Sequence, residues 1–165
     1  MIILITGVHL AAQSGMKSED YLQSGYARYD SLDFKGAMED YTEAIRLNPR
    51  LAEAYNGRGV TKDAVSDFEG AIKDFTIAIE LNPKYAYAYY DRGYVKTKLP
   101  DFKGALLDYT KAIELAPDYP EAFLSRGKVE YRMGLKEEAL HDWKRAAELG
   151  EEEGTDLIKA FLNGG

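Results

Sequence analysis

The chain contains no cysteine and only two histidines, His9 and His141, in 165 residues. The first absence removes disulfides, thiolate nucleophiles and cysteine–zinc sites together. The second leaves little for metal or proton-transfer chemistry, because the two imidazoles lie far apart with no partner at ligand spacing. No metal site is expected, and His141 reads as an ordinary exposed or packed residue. Positive charge is scarce too: 21 Lys and Arg stand against 28 Asp and Glu, a net charge of −7. Nucleic acid and anionic membranes both call for a cationic patch, so neither is an expected partner. No apolar run is long enough to span a bilayer. No nucleophile–His–carboxylate order or phosphate loop stands out, so no catalytic residue or cofactor is expected and the chain reads as non-enzymatic. Carboxylate pairs such as Asp63 with Asp67 fall on helical or turn surfaces and read as solvated.

The N-terminus departs from this polar background. Ile2 to Leu10 are nearly all apolar and are followed by Ala11-Ala12-Gln13-Ser14. That length suits the apolar region of a signal peptide, and Ala12 and Ser14 offer small residues for a cleavage site, although no Lys or Arg precedes the run. Two readings stand. Residues 1–14 are the remnant of an export signal, which makes the protein periplasmic or secreted. Alternatively, residues 1–15 are an arm that packs on the body or on a neighbouring molecule, which leaves the protein cytoplasmic and offers a route to homo-oligomers.

What the rest of the chain has is a period. Asn48-Pro49, Asn82-Pro83 and Ala116-Pro117 recur every 34 residues, each preceded by a similar phrase, such as Asp40-Tyr41-Thr42-Glu43-Ala44-Ile45. A period of this size marks small units that bury their apolar faces only by stacking on one another. Four units follow, 18–51, 52–85, 86–119 and 120–153, within a repeat region 16–153. Apolar spacings of three and four predict two helices in each. Asp33, Ser66 or Asp67, and Asp101 stand where each second helix needs an N-cap, and Asn-Pro ends it. Gly25, Gly59, Gly93 and Gly127 share one register, and Ala37, Ala71, Ala105 and Ala139 another. Small residues there let helix backbones approach and leave room for Tyr41, Phe75, Tyr109 and Trp143 as core. Beyond the units, 154–165 reads as a capping helix, with Leu157, Ile158, Phe161 and Leu162 covering the open end of the stack.

These registers resemble the tetratricopeptide repeat, which sets an aromatic, a Gly, an Ala, an aromatic, an Ala and a Pro in order. The third unit shows Tyr89, Gly93, Ala105, Tyr109, Ala112 and Pro117; the others match similarly, except that the fourth has Glu151 in place of the proline. The family's tyrosine three residues after the Gly is replaced by Arg28, Lys62, Lys96 and Glu130. Its turn glycine survives only as Gly134, and Pro100 is expected to stiffen the third turn. The resemblance implies an all-α fold, an α-solenoid of antiparallel helix hairpins, and a protein that binds other proteins.

Arg58, Arg92 and Arg126 stand where the family prefers leucine, and Asp40, Asp74, Asp108 and Asp142 precede the second-helix aromatics. Pairing between units (Asp40 with Arg58, Asp74 with Arg92, Asp108 with Arg126) and pairing within units are equally regular. An arginine row gripping a carboxylate ligand is the functional reading. The matched counts favour a structural one, a half-buried ion-pair ladder that fixes the stacking register.

The resemblance further implies a concave face lined by the first helices. By register that face carries Glu19, Leu22, Tyr26 and Tyr29, then Glu53, Asn56, Val60 and Asp63. Tyr87, Tyr90, Tyr94 and Thr97 come next, followed by Glu121, Leu124, Lys128 and Tyr131. Tyrosine gives large contact area and a hydroxyl at low entropic cost, so Tyr26, Tyr29, Asn56, Tyr87, Tyr90, Tyr94, Lys128 and Tyr131 are the expected groove for a peptide or partner segment. Some family members clamp the terminal carboxylates of heat-shock chaperones with Lys and Asn. The matching registers here hold Leu22, Tyr26, Gly57, Tyr90 and Tyr94, so that clamp is absent. The alternative function is structural self-association through the apolar N-terminal arm.

Overall fold

A computed structural model describes residues 15–163, so the apolar N-terminal segment and both readings of it lie outside the described residues. The described residues form nine α-helices. The first eight make four hairpins: α1 (Ser18–Asp30) with α2 (Phe34–Leu47), α3 (Ala52–Ala64) with α4 (Phe68–Leu81), α5 (Ala86–Lys98) with α6 (Phe102–Leu115), and α7 (Pro120–Arg132) with α8 (Lys136–Glu148). The last, α9 (Glu152–Leu162), packs on α8. Each helix packs against its neighbours in sequence, and successive first helices also touch, which makes the chain an all-α solenoid. No described helix is long and apolar enough to cross a membrane.

Local chemistry sets the hairpin ends. The carboxylates of Asp33, Asp67 and Asp101 accept the backbone N–H of Gly36, Gly70 and Gly104, each at 3.0 Å, and so begin α2, α4 and α6. A β-carbon at any of those glycines would overlap the capping carboxylate. Ser66 is not the cap; it sits one residue earlier in a left-handed conformation (φ 65°). Leu32 (φ 63°) and Gly134 (φ 84°) hold the same place in their turns. Pro100 holds the equivalent place in the third turn, directly before the Asp101 cap. At the far ends, Asn48 and Asn82 accept the N–H groups of Arg50 and Lys84 at 3.1 Å, closing the turn around each proline.

The aromatic of each second helix is the keystone. Tyr41, Phe75, Tyr109 and Trp143 are at most 2% exposed, flanked by alanines that are fully buried. Burial of one such ring contributes roughly 2–3 kcal/mol. The glycine register exists for these rings more than for the alanines expected opposite it. A β-carbon at Gly25 would lie 2.6 Å from the Tyr41 ring, and one at Gly59 2.7 Å from Phe75. Tyr41 is pinched from the next unit as well, since a β-carbon at Gly57 would come within 2.7 Å of it.

The capping helix begins at Glu152, ahead of the expected start at 154, because the Glu151 carboxylate accepts the N–H of Glu153 (3.4 Å). Leu157, Ile158 and Phe161 pack on the Trp143 cluster. Gly154 is buried where a β-carbon would stand 2.8 Å from the Trp143 carbonyl oxygen.

Candidate functional site

Asp74 accepts Arg58 Nε and Nη2, both at 2.8 Å, and Lys62 Nζ at 2.7 Å. Asp108 accepts Arg92 Nε and Nη2 at 3.0 and 2.7 Å and Lys96 at 2.7 Å. Asp142 accepts Arg126 at 2.6 and 2.9 Å. These pairs lie within units, not between them. The remaining arginine nitrogen crosses the boundary: Nη1 of Arg58, Arg92 and Arg126 donates to Thr42, Thr76 and Thr110 of the preceding unit at 3.1–3.2 Å. Asp40 has no arginine at the equivalent register and is held by Ser24 (2.6 Å) and Arg28 (2.9 Å) instead. With the carboxylates buried and each bidentate arginine occupied, the row is not free to grip a ligand.

The eight residues expected to line the groove do not form one site. Tyr26, Tyr87 and Tyr94 are 36%, 60% and 45% exposed. Tyr26 stands edge-on to the Tyr41 ring at 5.7 Å, and Tyr87 edge-on to Tyr119 at 5.2 Å. Tyr90 is half-buried between Tyr109 and Tyr119, with its hydroxyl 3.4 Å from Ser125 Oγ. Asn56 is buried and donates Nδ2 to Asp91 Oδ2 at 2.9 Å, while its own Oδ1 is buried without a partner. Lys128 and Tyr131 turn away to the capping helix: Lys128 Nζ pairs with Glu153 at 2.7 Å, and Tyr131 packs on Trp143 and Phe161. Leu22 and Leu124, also placed on this face by register, are core residues.

Two cavities follow from this division. One, about 390 Å³, is apolar and lies beside α9, lined by Lys128, Tyr131, Trp143, Leu157 and Phe161 among others. The other, about 320 Å³, lies among the first helices α1, α3 and α5, where Tyr29, Tyr90 and Tyr94 surround Asp63 and Asp91 above Val60 and Val95. Lys98 ties α5 to α3 there, its Nζ 2.7 Å from Asp63 Oδ1 and 4.5 Å from the centre of the Tyr94 ring. Asp91 is the residue that sequence reasoning missed. Its register holds Gly57 and Ser125 in the flanking units, so a carboxylate there is out of pattern, and that was the available signal. Burial pushes its carboxyl up to about 6, partly offset by the Asn56 amide. Burial also raises Tyr29, Tyr26 and Tyr90, with Asp63, Glu53 and Asp91 adding to the respective rises. Among the described residues no group of three or more His, Asp or Glu side chains is placed to hold a metal ion. The face offers aromatic area, hydroxyls and carboxylates, the means of recognition.

A rigid stack of hairpins presenting a continuous face of first helices is the architecture of a helical-repeat interaction protein. The TPR repeat family matches residues 25–62 and 97–134. Crystal structures of MamA are similar: one shares 28% identity over 89% of this chain and 86% of that chain with a TM-score of 0.79, another 30% over 84% and 75% with a TM-score of 0.73. The Arabidopsis OM64 TPR domain shares 30% identity over 70% of this chain and 95% of that chain, TM-score 0.68. The first TPR of Spaghetti (RPAP3), bound to the HSP90 peptide SRMEEVD, shares the fold at 24% identity over 72% and 94%, TM-score 0.70. No curated protein matches the sequence. The chain belongs to the tetratricopeptide-repeat family, and it is a protein–protein interaction module.

Proposed function

We propose that the face formed by α1, α3 and α5 binds an extended segment of a partner protein, with Tyr26, Tyr87 and Tyr94 as its anchors and Tyr29 and Tyr90 behind them. One observation carries this reading: of the 13 tyrosines, every exposed one lies on a first helix. A tyrosine buried in a core needs no such segregation, whereas a recognition surface gains large contact area there at small entropic cost. The scaffold is preformed, so little ordering free energy is lost on binding. Lys128 and Tyr131 are structural links to α9 in this reading, not contact residues. One fold relative is bound to an HSP90 peptide, SRMEEVD, whereas here no Lys–Asn clamp occupies the matching registers.

Selection of random displayed peptides on the wild-type protein tests this. Selected peptides are expected to lose at least about tenfold in affinity for a Tyr26/Tyr87/Tyr94→Ala variant, in line with truncation of aromatic anchors. A Lys73/Lys144→Ala variant, altered on the second helices, should bind them as wild type does. Equal binding to both variants would overturn the assignment of the face.

A further inference from the structure

We propose that the cavity between α1, α3 and α5 receives a lysine or arginine side chain of the bound segment, with Asp91 as its counter-charge and Tyr29 and Tyr94 as its aromatic walls. The inference rests on the groove reading above and names the chemistry of its partner. Three observations converge on it. First, the cavity lining contains two carboxylates, Asp63 and Asp91, and the cation at its edge, Lys98, is taken by Asp63, so charge complementarity at Asp91 selects a basic occupant. Second, the protein already shows the geometry once: Lys98 brings its ammonium to Asp63 at 2.7 Å while lying over the Tyr94 ring at 4.5 Å. Among the described residues Asp91, on the same wall, has no such cation and only the Asn56 amide. Third, that amide is itself incompletely satisfied, because Asn56 is buried and its Oδ1 finds no partner. A half-buried carboxylate beside an orphaned amide is costly to the empty protein.

The surrounding charges support the same occupant. Beyond burial, the larger cause, Glu53 helps raise Tyr26, and Asp63, Asp91 and Asp30 help raise Tyr29, with Lys98 the opposing charge at Tyr29. An acidic, tyrosine-walled face of this kind repels terminal carboxylates and attracts ammonium and guanidinium groups. Burial holds the Asp91 carboxyl up, and a bound cation would bring it back down.

The peptide selection decides it when its pools are sequenced. Wild-type protein is expected to enrich peptides with Lys or Arg at one fixed position relative to an aromatic or apolar neighbour. Asp91→Asn, which keeps the shape and the Asn56 contact, is expected to lose that basic preference and to bind the enriched peptides about tenfold more weakly, without loss of thermal stability. Enriched peptides that depend on Tyr87 and Tyr94 but carry no basic residue, or that bind Asp91→Asn equally, would overturn this inference and leave the groove reading standing. Peptides indifferent to the tyrosines, or no enrichment at all, would overturn both. If Asp91→Asn fails to fold, salt replaces it on the wild-type protein: affinity for the basic peptides should fall steeply between low and high ionic strength while their Lys→Gln versions stay unchanged. A salt-independent affinity would count against the inference.

Discussion

The third and fourth repeats are built on one plan and treat their central aspartate in opposite ways. Asp108 receives a guanidinium from Arg92 and an ammonium from Lys96. Asp142 receives Arg126, but Glu130 stands where Lys96 stands, 3.9 Å from the arginine, with one carboxylate oxygen buried and unpartnered. Burial and the neighbouring Asp142 push the Glu130 carboxyl up to about 7. The fourth repeat also differs at its ends, being covered by a lone helix and turning at a true glycine. A solenoid thus repeats its hydrophobic keystones faithfully while its polar fasteners drift, because a ring seated against a glycine admits few substitutes and the partly exposed cations around each aspartate admit more.

The largest test of this contrast removes the aspartates. Asp108→Ala strands two cations in a half-buried site and should cost about 3–5 kcal/mol, whereas Asp142→Ala also relieves the pressure on Glu130 and should cost clearly less. Urea midpoints of the two variants compare them directly, and equal losses would erase the distinction. Next comes the cap. Gly154→Ala places a methyl against the Trp143 carbonyl, which is backbone and cannot give way, so α9 must shift at a cost of roughly 1–3 kcal/mol. Near-ultraviolet circular dichroism of Trp143 should report the loosened helix; an unchanged spectrum and melting temperature would show α9 to be a bystander.

A smaller effect of opposite sign is expected from Glu130→Lys, which copies the third repeat into the fourth and should stabilise the protein by about 1 kcal/mol at neutral pH. Its pH signature is more telling. Glu130 titrates higher in the folded chain than its ordinary 4.5, so the folded state holds the extra proton and stability declines as pH rises from about 4.5 through about 7. Asp91 contributes a decline of the same sign between 3.8 and about 6. Thermal melts across pH 4–8 should therefore lose the upper part of the slope in Glu130→Lys and the lower part in Asp91→Asn. The smallest change equalises the turns: Leu32→Gly should add about 0.5–1 kcal/mol by removing a side chain from a left-handed position, while Gly134→Leu should lose about as much. Melting temperatures that moved the same way in both would contradict that account.

The hairpins, the aspartate caps and the aromatic keystones were all legible, because each depends on residues near in sequence or on a register repeated four times. The partner of each aspartate was not. Asp74 stands 18 residues from one arginine and 16 from another, and only the antiparallel return of a helix hairpin chooses the second. Nor could register tell a groove residue from a core one: Leu22 and Leu124 turn inward, and Tyr131 is claimed by Phe161 of a helix outside the repeat. Asp91 escaped notice because its meaning lies across the unit boundary, in an asparagine one residue off the period.

The arginine–threonine bond gives the array a quantum of length. Arg58, Arg92 and Arg126 each carry their own aspartate and need from the preceding unit a single hydroxyl that Thr42, Thr76 and Thr110 supply alike. Deleting residues 52–85 would set Thr42 before Arg92 in the place Thr76 now holds, and the shortened stack would close with the same fastener. The ties of Asn56 to Asp91 and of Asp63 to Lys98 have no such substitute and would vanish with the excised unit. Such a chain can change its size in whole steps while keeping its fold, but each step rewrites what its inner face can hold.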